Sequence, residues 1–122
     1  MIDTVSTAAR LESIASFRSA ISKSEKALSH MTRKGAGTTL IEKRLQALRI
    51  GLAVLECAWN QRPHYYPPED LVAARGILVG LLPSIEGIYT RSRAGSPQRT
   101  LLKRRIRALE LAVQAIDELS NV

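Results

Sequence analysis

The sequence predicts an all-α protein, folded as an antiparallel up-down-up-down four-helix bundle that is formed by two duplicated helical hairpins. Three observations predict it: apolar residues recur at helical spacing, glycine and proline clusters divide the chain into four segments, and the two halves of the chain match each other. With 122 residues, of which 45% are hydrophobic and 24% charged, the chain suits one globular domain. We therefore expect a single domain over residues 1–122, with an internal repeat of 1–61 and 62–122. A helical array with another packing is the alternative fold.

The repeat appears when the chain is shifted against itself by 61 positions, half of its length, with no gap. Identical residues then coincide at Leu40 and Leu101, Arg44 and Arg105, Ala47 and Ala108, and Leu48 and Leu109. Glu25 also falls on Glu86, and Thr39 falls on Thr100. Because the match extends to charged and loop-flanking positions, it indicates a duplication and not merely two unrelated amphipathic helices.

Each half has the pattern helix, loop, helix. The second helix of each copy has apolar residues at spacings of three and four, typical of a helix packed in a bundle. These residues are Ile41, Leu45, Leu48, Leu52, Leu55 and Trp59 in the first copy, and Leu102, Ile106, Leu109, Val113 and Ile116 in the second. The preceding helices carry Ile14, Phe17, Ile21, Leu28 and Met31, and then Leu71, Leu78, Leu82, Ile85 and Tyr89. Within the second helix of each copy, small residues flank these apolar positions, which favours close helix approach: Ala47, Gly51, Ala108 and Ala112.

Three breaks separate the predicted helices. Glycine interrupts each hairpin, at 33–37 and at 93–97, and the Pro-rich segment 62–68 cannot remain helical. Short loops of this kind connect antiparallel neighbours, so the four helices should alternate in direction.

The residues next to these breaks predict where the helices begin. Thr39 with Glu42 can form a capping box. Ser96 is the expected N-cap of the last helix, with Pro97 at its first position, and Pro68 begins the third helix.

The charges of the chain divide unevenly between the two ends of such a bundle. Its net charge is +7. We call the end with the two hairpin loops the basic pole, because thirteen cations lie nearer to it: Lys23, Lys26, Arg33, Lys34, Lys43, Arg44, Arg91, Arg93, Arg99, Lys103, Arg104, Arg105 and Arg107. Its only acids are Glu25, Glu42 and Glu86. The opposite pole, with the termini and the central turn, has five cations and eight acids.

Hairpin symmetry also predicts ion pairs. Glu25 and Arg44 lie at similar distances from the first loop, and Glu86 and Arg105 flank the second loop in the same way. We expect these two pairs, with Lys43 or Arg104 as substitutes.

The basic pole predicts binding of an acidic partner. The candidate contacts are Arg33, Lys34, Arg91, Arg93, Arg99, Lys103 and Arg107. A non-enzymatic interaction module that binds an acidic protein, such as a small regulator, inhibitor or immunity-type protein, is the first hypothesis. A nucleic-acid-binding bundle is the alternative, although aromatic residues that would stack on bases are scarce near this pole. A structural or assembly protein is the third hypothesis, and a homodimer is left open.

Aromatic residues cluster at the central turn instead. Trp59, Tyr65 and Tyr66 are candidate protein contacts, because Trp and Tyr dominate binding hot spots. The alternative is a hydrophobic plug that closes this end of the bundle.

The chemistry-bearing residues predict no catalytic site, no metal site and no cofactor. His30 and His64 fall at opposite poles, and Cys57 lies among core residues. The glycines at 35–37 precede a helix, but the lysine of a phosphate-binding loop is missing. We also expect no membrane insertion, because no apolar run approaches the necessary length, and a cytoplasmic location, because the first residues lack a secretory signal pattern.

One motif resembles a known group of proteins. The run from Gly37 to Leu48, GTTLIEKRLQAL, and its counterpart from Thr100 to Leu109, TLLKRRIRAL, are similar to a GTS-x-x-TLLK-x-RI-x-AL-like motif. Small helical proteins of bacteria with a duplicated hairpin and no known function carry that motif in each half. The second copy departs from the motif at residues 96–98. The resemblance implies a helical fold and implies no activity.

Overall fold

The computed structural model describes residues 2–120 and contains four long helices. A 3-10 turn at Ile2–Thr4 precedes α1 (Thr7–Arg33), α2 (Thr39–Asn60), α3 (Pro68–Arg91) and α4 (Pro97–Ser120). No strand occurs within 2–120. The helices pack as a bundle, which confirms the predicted all-α fold class.

The first hairpin is held by two ion pairs between α1 and α2. Arg18 pairs with Glu56 at 3.1 Å, and Glu25 pairs with Arg49 at 2.8 Å. The partners run in opposite order along the two helices, so α1 and α2 are antiparallel. The predicted Glu25–Arg44 pair is wrong, because Arg49 takes this carboxylate. Arg44 is exposed, lies one helical turn before the buried Leu48, and lines a cavity between the four helices.

The second hairpin has the same arrangement. Arg75, near the start of α3, donates to Asp117 near the end of α4, with 2.6 Å between Nε and Oδ1. The predicted Glu86–Arg105 pair is also wrong: neither residue forms an ion pair among residues 2–120, and Arg105 lines a cavity between the four helices. Neither predicted substitute replaces these pairs among residues 2–120.

Helices α2 and α4 form the centre of the bundle. They contact each other as well as their hairpin partners, while the backbones of α1 and α3 stay apart. The buried positions of α4 are Ala108, Leu109, Leu111, Ala112, Ala115 and Ile116. Each lies 61 positions after a buried residue of α2, namely Ala47, Leu48, Ile50, Gly51, Val54 and Leu55. The two copies therefore use the same core positions, and the small residues among them permit the close packing of α2 on α4.

The helix starts follow the sequence signals closely. α1 begins at Thr7 and α3 at Pro68, which are 61 positions apart. Ser96 caps α4, since its Oγ accepts from the amide of Arg99 at 3.2 Å. The N-cap of α2 is Thr38, one residue earlier than predicted, and its hydroxyl donates to Glu42 at 3.3 Å.

The opposite pole is closed by Trp59. This residue is only 5% exposed, and its indole Nε1 donates to the carbonyl of Ile2 at 3.0 Å. The guanidinium carbon of Arg10 lies 5.6 Å from the centroid of the Trp59 ring. The N-terminal turn therefore packs against the end of α2, which agrees with the interpretation of Trp59 as part of a hydrophobic plug at this end of the bundle.

Helix α3 is more apolar than the sequence analysis expected. By length and composition it can cross a membrane, with a mean hydropathy of 1.6 over its most apolar 18 residues. The expectation that no apolar run approaches this length was wrong. One such helix is only a weak indication, since helices of water-soluble bundles meet the same criterion.

Candidate anion-binding site

The cations of the basic pole are almost entirely without acidic partners. Of the thirteen, only Arg104 forms an ion pair within residues 2–120, with Glu12 of α1 at 2.8 Å. Four of the five cations at the opposite pole are paired: Arg18, Arg49, Arg62 and Arg75. The fold therefore gives acidic partners to most cations of the opposite pole and leaves nearly all cations of the basic pole without one.

Arg99 is held by the protein itself. Its Nη1 donates to the carbonyls of Tyr89, at 3.2 Å, and Ser92, at 2.8 Å. Its guanidinium also stacks over the Tyr89 ring, 4.2 Å from the centroid. These contacts engage two carbonyl groups at the end of α3: that of Tyr89, which also accepts from the amide of Ser92 at 3.0 Å, and that of Ser92. Arg99 is therefore an anchor of the α3–α4 loop, and its assignment as a binding residue stays a prediction.

The six other candidate residues are exposed and lie in three groups. Arg33 and Lys34 are at the end of α1, and Arg91 and Arg93 are at the end of α3. Lys103 and Arg107 are on α4, four residues apart and thus on one helix face. No ion pair engages any of these six among the described residues.

The aromatic candidates do not form one surface. Trp59 is buried, which favours its interpretation as part of the plug. Tyr65 is 90% exposed. Tyr66 is half-buried and stacks on His64, with 6.2 Å between the ring centroids.

Sequence analysis missed the special position of Arg105. Its Nε is buried and has no hydrogen-bond partner among residues 2–120. Burial lowers the pKa of its guanidinium, because loss of water disfavours the charged form. The signal was present in the sequence: Arg105 lies four residues before Leu109, and its counterpart Arg44 lies four before Leu48. Each arginine therefore shares a face with a core leucine.

Acidic residues do not gather into a metal site in the part of the chain that is described, where no group of three His, Cys, Asp or Glu side chains could hold an ion. The geometry at the basic pole suits anions. No protein-family model, curated protein or solved structure matches the chain, so its resemblance to small duplicated bacterial proteins stays a prediction.

Proposed function

We propose that this protein is a non-enzymatic interaction module, a small regulator, inhibitor or immunity-type protein, that binds an acidic protein partner through its basic pole. The observation that supports this most is the absence of ion pairs for twelve of the thirteen cations at that pole, within residues 2–120.

Such a cluster repels itself, and an acidic partner would relieve the repulsion. At the opposite pole, acids of the same chain relieve the repulsion between cations; Glu56, for example, pairs with both Arg18 and Arg62. At the basic pole, Glu25 is engaged with Arg49 and Glu42 accepts from Thr38. A partner with several carboxylates would supply the missing charge, and complementary charge also speeds encounter.

The exposed cations are suited to a broad contact. In an antiparallel up-down-up-down bundle the two hairpin loops share one end, and each loop is flanked by two cations, Arg33 with Lys34 and Arg91 with Arg93. Lys103 and Arg107 extend the positive surface along α4. Spread over two loops and one face of α4, these cations suit contact with the surface of a folded protein.

The test is affinity capture from cells of the native host, with nuclease treatment, followed by titration of the purified partner. A variant with Arg91→Gln and Arg93→Gln is compared with a control carrying Arg18→Gln and Arg62→Gln. Both remove two exposed positive charges, so both have the same net charge of +5. We expect an acidic partner, an affinity that falls as salt rises, and a loss of about tenfold or more in the first variant only.

Three outcomes would contradict the proposal. Equal losses in the two variants would show that net charge matters and the basic pole does not. Binding that disappears after nuclease treatment would favour the nucleic-acid alternative. An affinity that does not change with salt would argue against a charged interface of any kind.

A further inference from the structure

We propose that the cavity between the four helices at the basic half of the bundle binds a small carboxylate whose apolar body is about the size of a benzene ring. Arg105 would hold the carboxylate, with Arg44 beside it. This inference is independent of the proposed function, because its residues differ from the exposed cations of the loops and the outer face of α4.

The cavity has a volume of about 180 Å³, and all four helices line it. Its walls are mostly apolar, with Phe17, Leu48, Leu81 and Leu109 among them. Arg44 and Arg105 occupy equivalent positions of the two copies, as do Leu48 and Leu109. The cavity therefore lies where the two hairpins face each other, and one arginine from each copy lines it.

An asymmetry between the copies opens this space. On α3, Ile77, Leu81 and Ile85 recur at a spacing of four residues. The equivalent positions of α1 carry Ser16, Ala20 and Ser24, which are all small and all line the cavity. Full duplication would fill the space with large side chains from both sides. The difference between the copies thus leaves only small side chains at these three positions on the α1 wall of the cavity.

The charges in the cavity are of one sign. Lys23, Arg44 and Arg105 line it, and no Asp or Glu does. The buried Nε of Arg105 lacks a hydrogen-bond partner among residues 2–120. A buried charge without a partner is unfavourable, and a carboxylate, which accepts two parallel hydrogen bonds from a guanidinium, is its best complement.

The size and lining of the cavity define the rest of the ligand. Apolar cavities of about 150 Å³ hold a benzene-sized molecule. A bare inorganic anion would leave the aliphatic walls without contacts, and a neutral hydrocarbon would leave the guanidinium groups without a partner. A small aromatic carboxylate, or an aliphatic one of similar volume, satisfies both.

A path of entry adjoins the cavity. Ser16, Lys23 and Arg105 also line the surface groove between α1 and α4. The rim of that groove carries two leucines exposed to solvent, Leu11 at 64% and Leu101 at 61%. A ligand with an apolar body can therefore reach Arg105 from this groove.

The test uses benzoate as the probe, in isothermal titration calorimetry at constant ionic strength. The benzoate concentration is raised to ~10 mM, which is above the dissociation constant expected of so small a ligand. Benzamide removes the charge of the probe, and acetate removes its ring. We expect the wild type to bind benzoate at least tenfold more tightly than either.

Three variants locate the site. Arg105→Met replaces the buried cation by an apolar side chain of similar length and should weaken benzoate binding at least tenfold. Arg107→Met removes an exposed cation from the same helix and should change the affinity less than twofold. Ala20→Leu installs on α1 the residue that α3 has at the equivalent position; it keeps both arginines and should block binding by filling the cavity.

Several results would overturn the inference: no binding of benzoate by the wild type, equal binding of benzamide, equal effects of Arg105→Met and Arg107→Met, or unchanged binding by Ala20→Leu. Circular dichroism of each variant shows whether it folds. Methyl NMR gives a second measurement that does not depend on the variants. Benzoate should shift the methyl signals of Leu48, Leu81 and Leu109 and leave those of Val72, on the exposed side of α3, unchanged.

Discussion

Gly51 and Phe17 are packed so closely that a side chain at position 51 has no room: a Cβ atom there would lie 2.8 Å from Cε1 of Phe17. It would also lie 3.3 Å from Cδ1 of Leu78, which occupies in the second copy the position of Phe17. Gly51 therefore lets α2 approach α1 and α3 at once.

We expect Gly51→Ala to lower the free energy of unfolding by about 1 kcal/mol. The gain in helix propensity is about 1 kcal/mol, but forcing a methyl group into a filled core costs about 1–3 kcal/mol. Gly80→Ala is the matched control, because the space around Gly80 on α3 is open. It should raise the free energy of unfolding by roughly 0.5–1 kcal/mol. Urea denaturation measures both; equal stability of the two variants would show that the Phe17 ring moves aside freely.

The contacts that Arg99 makes with the α3–α4 loop predict a second change in stability. Arg99→Ala removes two charge-assisted hydrogen bonds to loop carbonyls and the contact with Tyr89, and we expect a loss of about 1–3 kcal/mol. The exposed Lys103→Ala, four residues further along α4, should change stability by no more than about 0.5 kcal/mol. Hydrogen exchange should also be faster at the amides of Ser92 and Ser96 in the Arg99 variant. Unchanged exchange there would contradict the role of Arg99 as a loop anchor.

The ion pair between Arg75 and Asp117 predicts a dependence on pH. The hydrogen bond from Arg75 lowers the pKa of Asp117 below its ordinary value. A carboxyl group whose pKa is lower in the folded protein adds stability above its unfolded pKa of about 4, and this stability is lost as the pH falls through the folded pKa. Arg75→Gln should return the pKa of Asp117 towards its ordinary value, as measured by carbon NMR of the Asp117 carboxyl. Arg62→Gln, which removes a partner of Glu56, should leave it unchanged. Because both groups are exposed, high salt should reduce the difference.

The nucleic-acid alternative makes a quantitative prediction of its own. Binding through about five phosphates would give a slope of log K against log salt near −4.5 for duplex DNA. Under the proposed function we expect no binding of a generic DNA or RNA oligonucleotide at ~150 mM salt, and at lower salt only binding without sequence preference. Charge reversal of Arg91, Lys103 and Arg107 is the suitable variant, since Arg99 is needed by the loop. Tight binding of one nucleic acid that this variant abolishes would replace the acidic protein as the partner.

Local patterns in the chain were enough to predict the helices. The spacing of residues such as Leu48 and Leu55, the proline at position 68 and the serine at position 96 predicted the helices and most of their ends, because helix periodicity and capping depend on neighbouring residues only. The shift of 61 positions also paired small residues that are buried in both copies, Ala47 with Ala108 and Gly51 with Ala112, whereas the predicted core residues Leu52 and Val113 are only half-buried. The N-cap of α2 was predicted one residue too late, at Thr39 in place of Thr38, because both threonines carry a hydroxyl that can cap a helix.

The tertiary structure decided which side chains meet. A charged side chain several atoms long can reach different partners from one backbone position, so loop symmetry could not show that Glu25 pairs with Arg49 and leaves Arg44 at the edge of the cavity. The rotation of each helix about its own axis determines such choices, and packing of the whole core sets that rotation. By itself, then, the sequence determined four helices, their order and an uneven distribution of charge. Only the packed bundle could place Arg105 in a cavity, because that cavity exists where large residues of α3 face small residues of α1 across the centre of the molecule.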